Sequence, residues 1–236
     1  MTRILAAGIP VEIEHRFHWL ADQCADYQTD LPPELRISVT DEDLAKERSI
    51  SPSESIPGEM LESTAAYRKL IDALLDYDVL FLHAALVTYR SEAVAFSGPT
   101  GAGKTTHARQ WESRFGSAAS ILNGDKPLLR YQQGAFRAYG TPWRGKESLG
   151  TPGSAPLRAI CFIEQSNVNA IRRLERAQAL PRLMRQLLIP AREPQLGQVL
   201  YLADRLISCV PFYEASCTME PAAAETVQRE IWSNEV

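Results

Sequence analysis

The chain opens on two short apolar runs, "RILAAG" and "VEIEHRF", which read as strands with Gly8 and Pro10 between them. "HWLADQCADY" reads as a short helix and "ELRISVT" as another strand. The stretch from Arg48 to Glu59 is rich in Ser, Pro and Glu and has no periodicity, so it reads as a linker or mobile loop. In "MLESTAAYRKLIDALLDYD" the apolar positions Leu61, Ala65, Leu70, Ala73 and Leu74 fall near helical spacing and predict a helix.

Two β-rich runs follow in "VLFLHAALVTYRSEAVAFSG", and Arg90-Ser91 between them predicts a tight hairpin. With those two residues as the turn, Tyr89 faces Glu92, Ala85 faces Phe96 and His83 faces Gly98. A helix over roughly 104–115 and a strand "AASIL" come next, and strand, helix, strand normally gives a right-handed parallel crossover between neighbouring strands. "PLLRYQQGAFRAYG" predicts a hairpin turning at Gln133-Gly134, and residues 140–154 a long Gly/Pro loop. "LRAICFIEQ" reads as a buried strand with "VNAIRRL" as its partner. Helices over about 178–189 and 195–209, a strand "FYEAS" and a helix from Pro221 complete the chain.

This is a length for one medium domain, or one domain with an appendage: residues 1–55 as a small N-terminal α+β extension and 56–236 as the main domain. The apolar fraction of 45% supports a real core. No run of 18 apolar residues offers a membrane span, and the first residues are too short an apolar stretch for a secretory leader. Cys24, Cys161, Cys209 and Cys217 lack metal or redox spacing, with Cys161 expected as a buried thiol, which favours a reducing, cytoplasmic setting. Charge is uneven: residues 1–80 carry 16 acidic and 7 basic side chains, and residues 81–236 carry 13 and 18. The positive part suits a polyphosphate ligand, and its excess is too scattered to argue for nucleic acid.

The chemistry concentrates at Gly98-Pro99-Thr100-Gly101-Ala102-Gly103-Lys104-Thr105, which matches G-x-x-x-x-G-K-[ST] at each fixed position, with Thr106 following. The glycines let successive N–H groups curl toward anionic oxygens, and the helix from Lys104 adds its positive end. Lys104 suits the β- and γ-phosphates, and the Thr105 hydroxyl suits Mg²⁺. Magnesium also wants a carboxylate at a strand end: Asp125 after "SILNG" is preferred over Glu164 after "AICFI". The hairpin register puts His83 beside the loop, where it can orient or tune that carboxylate. His107 reads as an exposed helix residue. Arg144 and Lys146, in a flexible loop, are candidates to bring a cation to the transferring group. Arg172, Arg173, Arg176, Arg182 and Arg185 read as a solvated face.

The pieces "LHAALV", "AVAFSGPTGAGKTTHARQW", "ILNGDK" and "YGTPWRGK", within about residues 79–150, resemble the small kinases related to HPr kinase/phosphorylase, in the phosphoenolpyruvate carboxykinase-like superfamily. The resemblance implies a mixed, partly antiparallel central sheet with a P-loop and flanking helices. It implies phosphoryl transfer from ATP to a hydroxyl, often a serine. It also implies His83 as the active-site histidine, Lys104 and Thr105 in phosphate and Mg²⁺ roles, and Asp125 as metal ligand or proton acceptor. Two departures stand out: HPr kinases carry two adjacent acids where this chain has Asp125-Lys126, and a Glu where it has Thr106. HPr is therefore not the expected substrate. A peptide serine or a small hydroxylated metabolite is, since compact relatives of this type look like kinases encoded beside peptide-modifying systems. An NTPase without an acceptor, which Glu164 would favour, and a non-catalytic nucleotide-binding module, which the lost second acid would favour, are the alternatives. The acidic N-terminal part is a candidate surface for a substrate peptide or a second copy of the chain in a homo-oligomer. The preferred reading makes it a few strands completing the main sheet.

Overall fold

The computed structural model describes residues 1–51, 53, 55–190 and 193–233. In chain order it holds β1 (Thr2–Ala6), β2 (Ile9–Glu14), α1 (His18–Gln23), β3 (Leu35–Ser38), α2 (Asp41–Ile50), α3 (Gly58–Leu74), β4 (Val79–Phe81), β5 (Ala84–Tyr89), β6 (Glu92–Ser97), α4 (Lys104–Phe115) and β7 (Ala119–Asn123). Then come β8 (Leu128–Gln132), β9 (Ala135–Tyr139), β10 (Ser154–Gln165), β11 (Ala170–Arg173), α5 (Arg176–Met184), α6 (Glu193–Cys209), β12 (Phe212–Cys217) and α7 (Ala222–Trp232). Among the described residues no helix is long and apolar enough to cross a membrane.

The main sheet is mixed and runs β4-β8-β9-β10-β6-β5-β7, with β12 on β10 and β11 on β12. β10 bends it. Its first residues pair antiparallel with β9, and its last six pair parallel with β12 on the same edge. β6 lies parallel to β10 along the other edge. One face packs on α5 and α6 through residues such as Ala93, Ala95, Leu183 and Leu202. The other packs on α4 and α7, with Val94, Phe96, Trp111 and Trp232 in one cluster. The alternation along β6 is what a strand buried on both faces requires.

The hairpin register is as the sequence implies: Tyr89 faces Glu92 and Ala85 faces Phe96. Arg90 and Ser91 both take positive φ, 49° and 68°, the backbone that a two-residue hairpin of native twist demands. Gln133 and Gly134 turn the second hairpin in the same way, at 52° and 83°.

Several expectations are corrected. β7 is not the neighbour of β6: β5 inserts between them, antiparallel to both, so β6 and β7 run in the same direction one strand apart. β11 pairs with β12, not with β10. Val79–Phe81 leaves the hairpin and pairs with β8. The three N-terminal strands form a separate sheet, β1-β2-β3, instead of extending the main one. They share an apolar cluster with α3 through Ile4, Ile13, Leu70 and Leu74, so the division proposed at residue 55 separates α3 from the sheet it covers. The stretch read as a linker from Arg48 begins inside α2, a polar helix without an apolar stripe. Its start is set by a capping box in which Thr40 accepts from the Asp43 N–H and Asp43 accepts in return from the Thr40 N–H. Residues 52 and 54 of that stretch lie outside the described residues.

Candidate active site

Strand directions bring the chemistry to one edge. β6, β7, β10 and β12 are parallel, so the loop after β6, the turn after β7 and the ends of β10 and β12 emerge together. β5 runs the opposite way, so His83, just before it, arrives at the same edge. The Ser97 hydroxyl, one residue before the loop, donates to the His83 carbonyl at 2.8 Å.

The loop at residues 98–103 leads from β6 into α4. Gly101 and Gly103 have φ of 84° and 95°, and Gly103 sits at the helix N-terminus, which no side chain caps with a hydrogen bond. Gln165 holds the loop from β10 by donating to the Gly101 carbonyl at 2.8 Å. Lys104 is buried in the first turn, and its ammonium donates to the carbonyls of Gly98 (3.0 Å) and Pro99 (3.1 Å). Thr105 and Thr106 are half-buried in the same turn. A concave run of backbone with a lysine and a helix N-terminus is a setting for anionic oxygens.

The turn at residues 123–126 is the opposite wall. Asn123 is fully buried, and its Oδ1 accepts from the N–H groups of Asp125 (2.9 Å) and Lys126 (2.6 Å). Its Nδ2 donates to the Thr141 carbonyl at 3.1 Å. The Lys126 carbonyl accepts from the hydroxyls of Tyr67 (2.9 Å) and Thr141 (2.8 Å). Two distant segments thus help to fix the turn that carries Asp125. The His83 Nε2 lies 3.3 Å from Asp125 Oδ1, and the Lys126 ammonium 2.7 Å from Oδ2. Burial alone would raise the Asp125 carboxyl, but the hydrogen bonds from His83 and Lys126 outweigh it and hold the group well below the ordinary carboxylate range. Burial lowers the Lys104 ammonium from its usual value, and the charge of Asp125 works against that shift, so the two walls feel each other.

His83 is anchored by the turn that follows α5. Its N–H donates to the Gln186 carbonyl at 2.9 Å, and its Nδ1 lies 3.2 Å from Gln186 Oε1. Gln186, Arg182 and Arg185 border a cavity of about 560 Å³, together with residues 98–102, 162–165 and Glu214. So two of the five arginines read as a solvated face line a cavity beside the loop. Sequence spacing carries no signal for this, because which face of α5 looks at the loop depends on packing. Arg182 is paired with Glu214 at 2.5 Å, and Arg172 binds the other oxygen of that carboxylate. Glu164 is at the cavity wall and accepts from the Ser216 hydroxyl at 2.9 Å.

Two other expectations change. Arg144 is held by Asp26 at 2.6 Å and lies over the Tyr27 ring, so its guanidinium is committed to the N-terminal part. Its loop is packed in place: a Cβ on Gly145, at φ 76°, would come within 2.7 Å of the Asp125 Cβ, so glycine is required for the close approach. Lys146 of the same loop is exposed. His107 is buried, not exposed. It accepts from the Trp111 indole at 3.0 Å and packs on Phe96, and burial lowers its imidazole to about 4.

Cys24, Cys161 and Cys217 are buried and unbridged, as a small apolar thiol at Cys161 was expected to be; Cys209 is exposed.

No family model matches the chain, and no curated protein matches it. Among solved structures, it is similar to the HPr(Ser) kinase/phosphatase from Coxiella burnetii, at 8% identity and a TM-score of 0.40, over 66% of this chain and 99% of that one. A likeness at this level says nothing about activity.

Proposed function

We propose that the protein is an ATP- and Mg²⁺-dependent kinase that transfers the γ-phosphoryl group to a hydroxyl, either a peptide or protein serine or a small alcohol. The observation that carries this reading is the convergence of the Lys104 loop and the His83–Asp125 pair on one sheet edge, close enough for Asp125 to act on the Lys104 charge. An oriented, ionised carboxylate opposite the loop supports a site for a nucleotide bound with its metal.

The residues fit both groups. The loop amides, the α4 N-terminus and Lys104 supply positive partial charge for the phosphates, and Thr105 and Asp125 are the hard oxygen donors that Mg²⁺ prefers. When bound, Mg²⁺ would neutralise charge on the β- and γ-phosphates. In the transfer, the acceptor oxygen bonds to the γ-phosphorus as the bond from phosphorus to the ADP oxygen breaks, and the hydroxyl proton passes to an oxygen of the transferred phosphoryl group and from there to solvent. A carboxyl held as low as that of Asp125 is a weak proton acceptor, and a loose transition state needs little from a base. Asp125 therefore serves better as the metal ligand, with His83 keeping it oriented.

The test is incubation with Mg²⁺ and γ-labelled ATP, with and without pools of serine-containing peptides and small alcohols. The expected result is label on an acceptor, absent in Asp125→Asn. Free phosphate alone, unchanged by every acceptor pool, would make the protein an NTPase. Intact ATP despite binding would make it a regulatory module.

A further inference from the structure

Lys126 stands where the resembled kinases carry a second acid; its main chain is fixed, and its side chain reaches solvent. The backbone is held at both ends, by Asn123 on its N–H and by Tyr67 and Thr141 on its carbonyl. None of these bonds involves the ammonium, and 37% of the side chain is exposed, so the four-carbon stem can swing from a fixed pivot.

The ammonium now sits on Oδ2 of Asp125, whose Oδ1 already has His83. The Asp125 charge also acts on Lys104, which the loop carbonyls of Gly98 and Pro99 hold. Two other cations near the edge are engaged, Arg144 with Asp26 and Arg182 with Glu214.

We propose that Lys126 is a catalytic cation of this site, exchanging the Asp125 carboxylate for the oxygens of the phosphoryl group in flight. This rests on the kinase reading above. The bond from acceptor oxygen to phosphorus forms and the bond from phosphorus to the ADP oxygen breaks. Lys126 keeps its protons and contributes charge where the three equatorial oxygens gather it. A chain with one acid and one lysine at this turn thus places a positive group where a two-acid turn places a negative one.

The experiment needs no acceptor. Binding of MgADP is measured with and without aluminium fluoride, a mimic of the transferring group, in wild type, Lys126→Met and Lys126→Arg. Wild type is expected to bind about a hundredfold tighter with the fluoride. Lys126→Met is expected to keep the affinity for MgADP alone and lose most of that gain, and Lys126→Arg to recover part of it. Its main-chain bonds are untouched, so an unchanged melting temperature serves as the folding control. An undiminished gain in Lys126→Met overturns the proposal and leaves the kinase reading intact. So does an equal loss of MgADP and fluoride binding, which would make Lys126 a nucleotide-binding residue. Failure of wild type to bind MgADP removes the kinase reading, and this proposal with it.

Discussion

The two walls of the site are made in different ways. The loop at residues 98–103 is local: a buried strand, glycines with left-handed backbone and a helix, all within residues 92–115. The turn at residues 123–126 is assembled from afar, with Tyr67 of α3 and Thr141 of the long loop closing on its backbone and His83 on its carboxylate. Apart from the Gln165 bond to Gly101, the local wall is built from its own stretch of chain and tolerates change elsewhere. An assembled wall makes the carboxylate's aim depend on the fold.

Asp125→Asn keeps the turn's backbone bonds but removes the charge. Its turnover is expected to fall at least about a hundredfold, since charge placed against the transferring group is the main source of catalysis in phosphoryl transfer. A variant with wild-type rates in the labelled-ATP assay contradicts the role.

Asn123→Ala strikes the assembly itself. It strips partners from the N–H groups of Asp125 and Lys126 and from the Thr141 carbonyl, all at a fully buried position. Orphaned buried groups cost about 1–3 kcal/mol each, so a stability loss of ~3 kcal/mol is expected in urea unfolding, with activity lost too. A loss below about 1 kcal/mol would mean that the turn holds its shape without Asn123.

His107 offers a pH test of the helix beneath the local wall. Its folded imidazole is lowered to about 4 by burial, so between its ordinary value of 6.5 and that point the unfolded chain binds a proton that the folded chain refuses. Stability should therefore fall as pH drops through this window. His107→Phe should flatten that part of the curve, read from melting temperatures across the range; an unchanged slope would assign it to other groups.

The smallest expected effect is in neither wall. Thr40→Ala removes a cap from α2 and should cost about 1 kcal/mol while leaving nucleotide affinity unchanged. Altered affinity would show that the N-terminal part reaches the site.

The same contrast explains what was legible in the sequence. The α4 boundaries, the Arg90-Ser91 register and the position of His83 near the loop follow from local spacing, and the structure has all three. The insertion of β5 between β6 and β7 is a long-range pairing that no local pattern encodes. Arg144 looked like a mobile cation because its partner, Asp26, lies 118 residues away in the chain. His107 looked exposed because Trp111 and Phe96, which enclose it, are ordinary core residues in the sequence. Gln186, which anchors His83, sits in a helical stretch with no motif.

On the kinase reading, the two walls act on one bound nucleotide. This claim is tested most directly by calorimetric titration of ATP, with and without Mg²⁺, into wild type, Lys104→Ala and Asp125→Asn. Lys104→Ala is expected to weaken binding about tenfold or more in both conditions, as loss of a charge-assisted contact should. Asp125→Asn is expected to remove the part of the affinity that depends on Mg²⁺ and leave the rest. Mg²⁺-dependent binding that Asp125→Asn leaves untouched would contradict the claim, because the loop would then hold the nucleotide without the opposite wall.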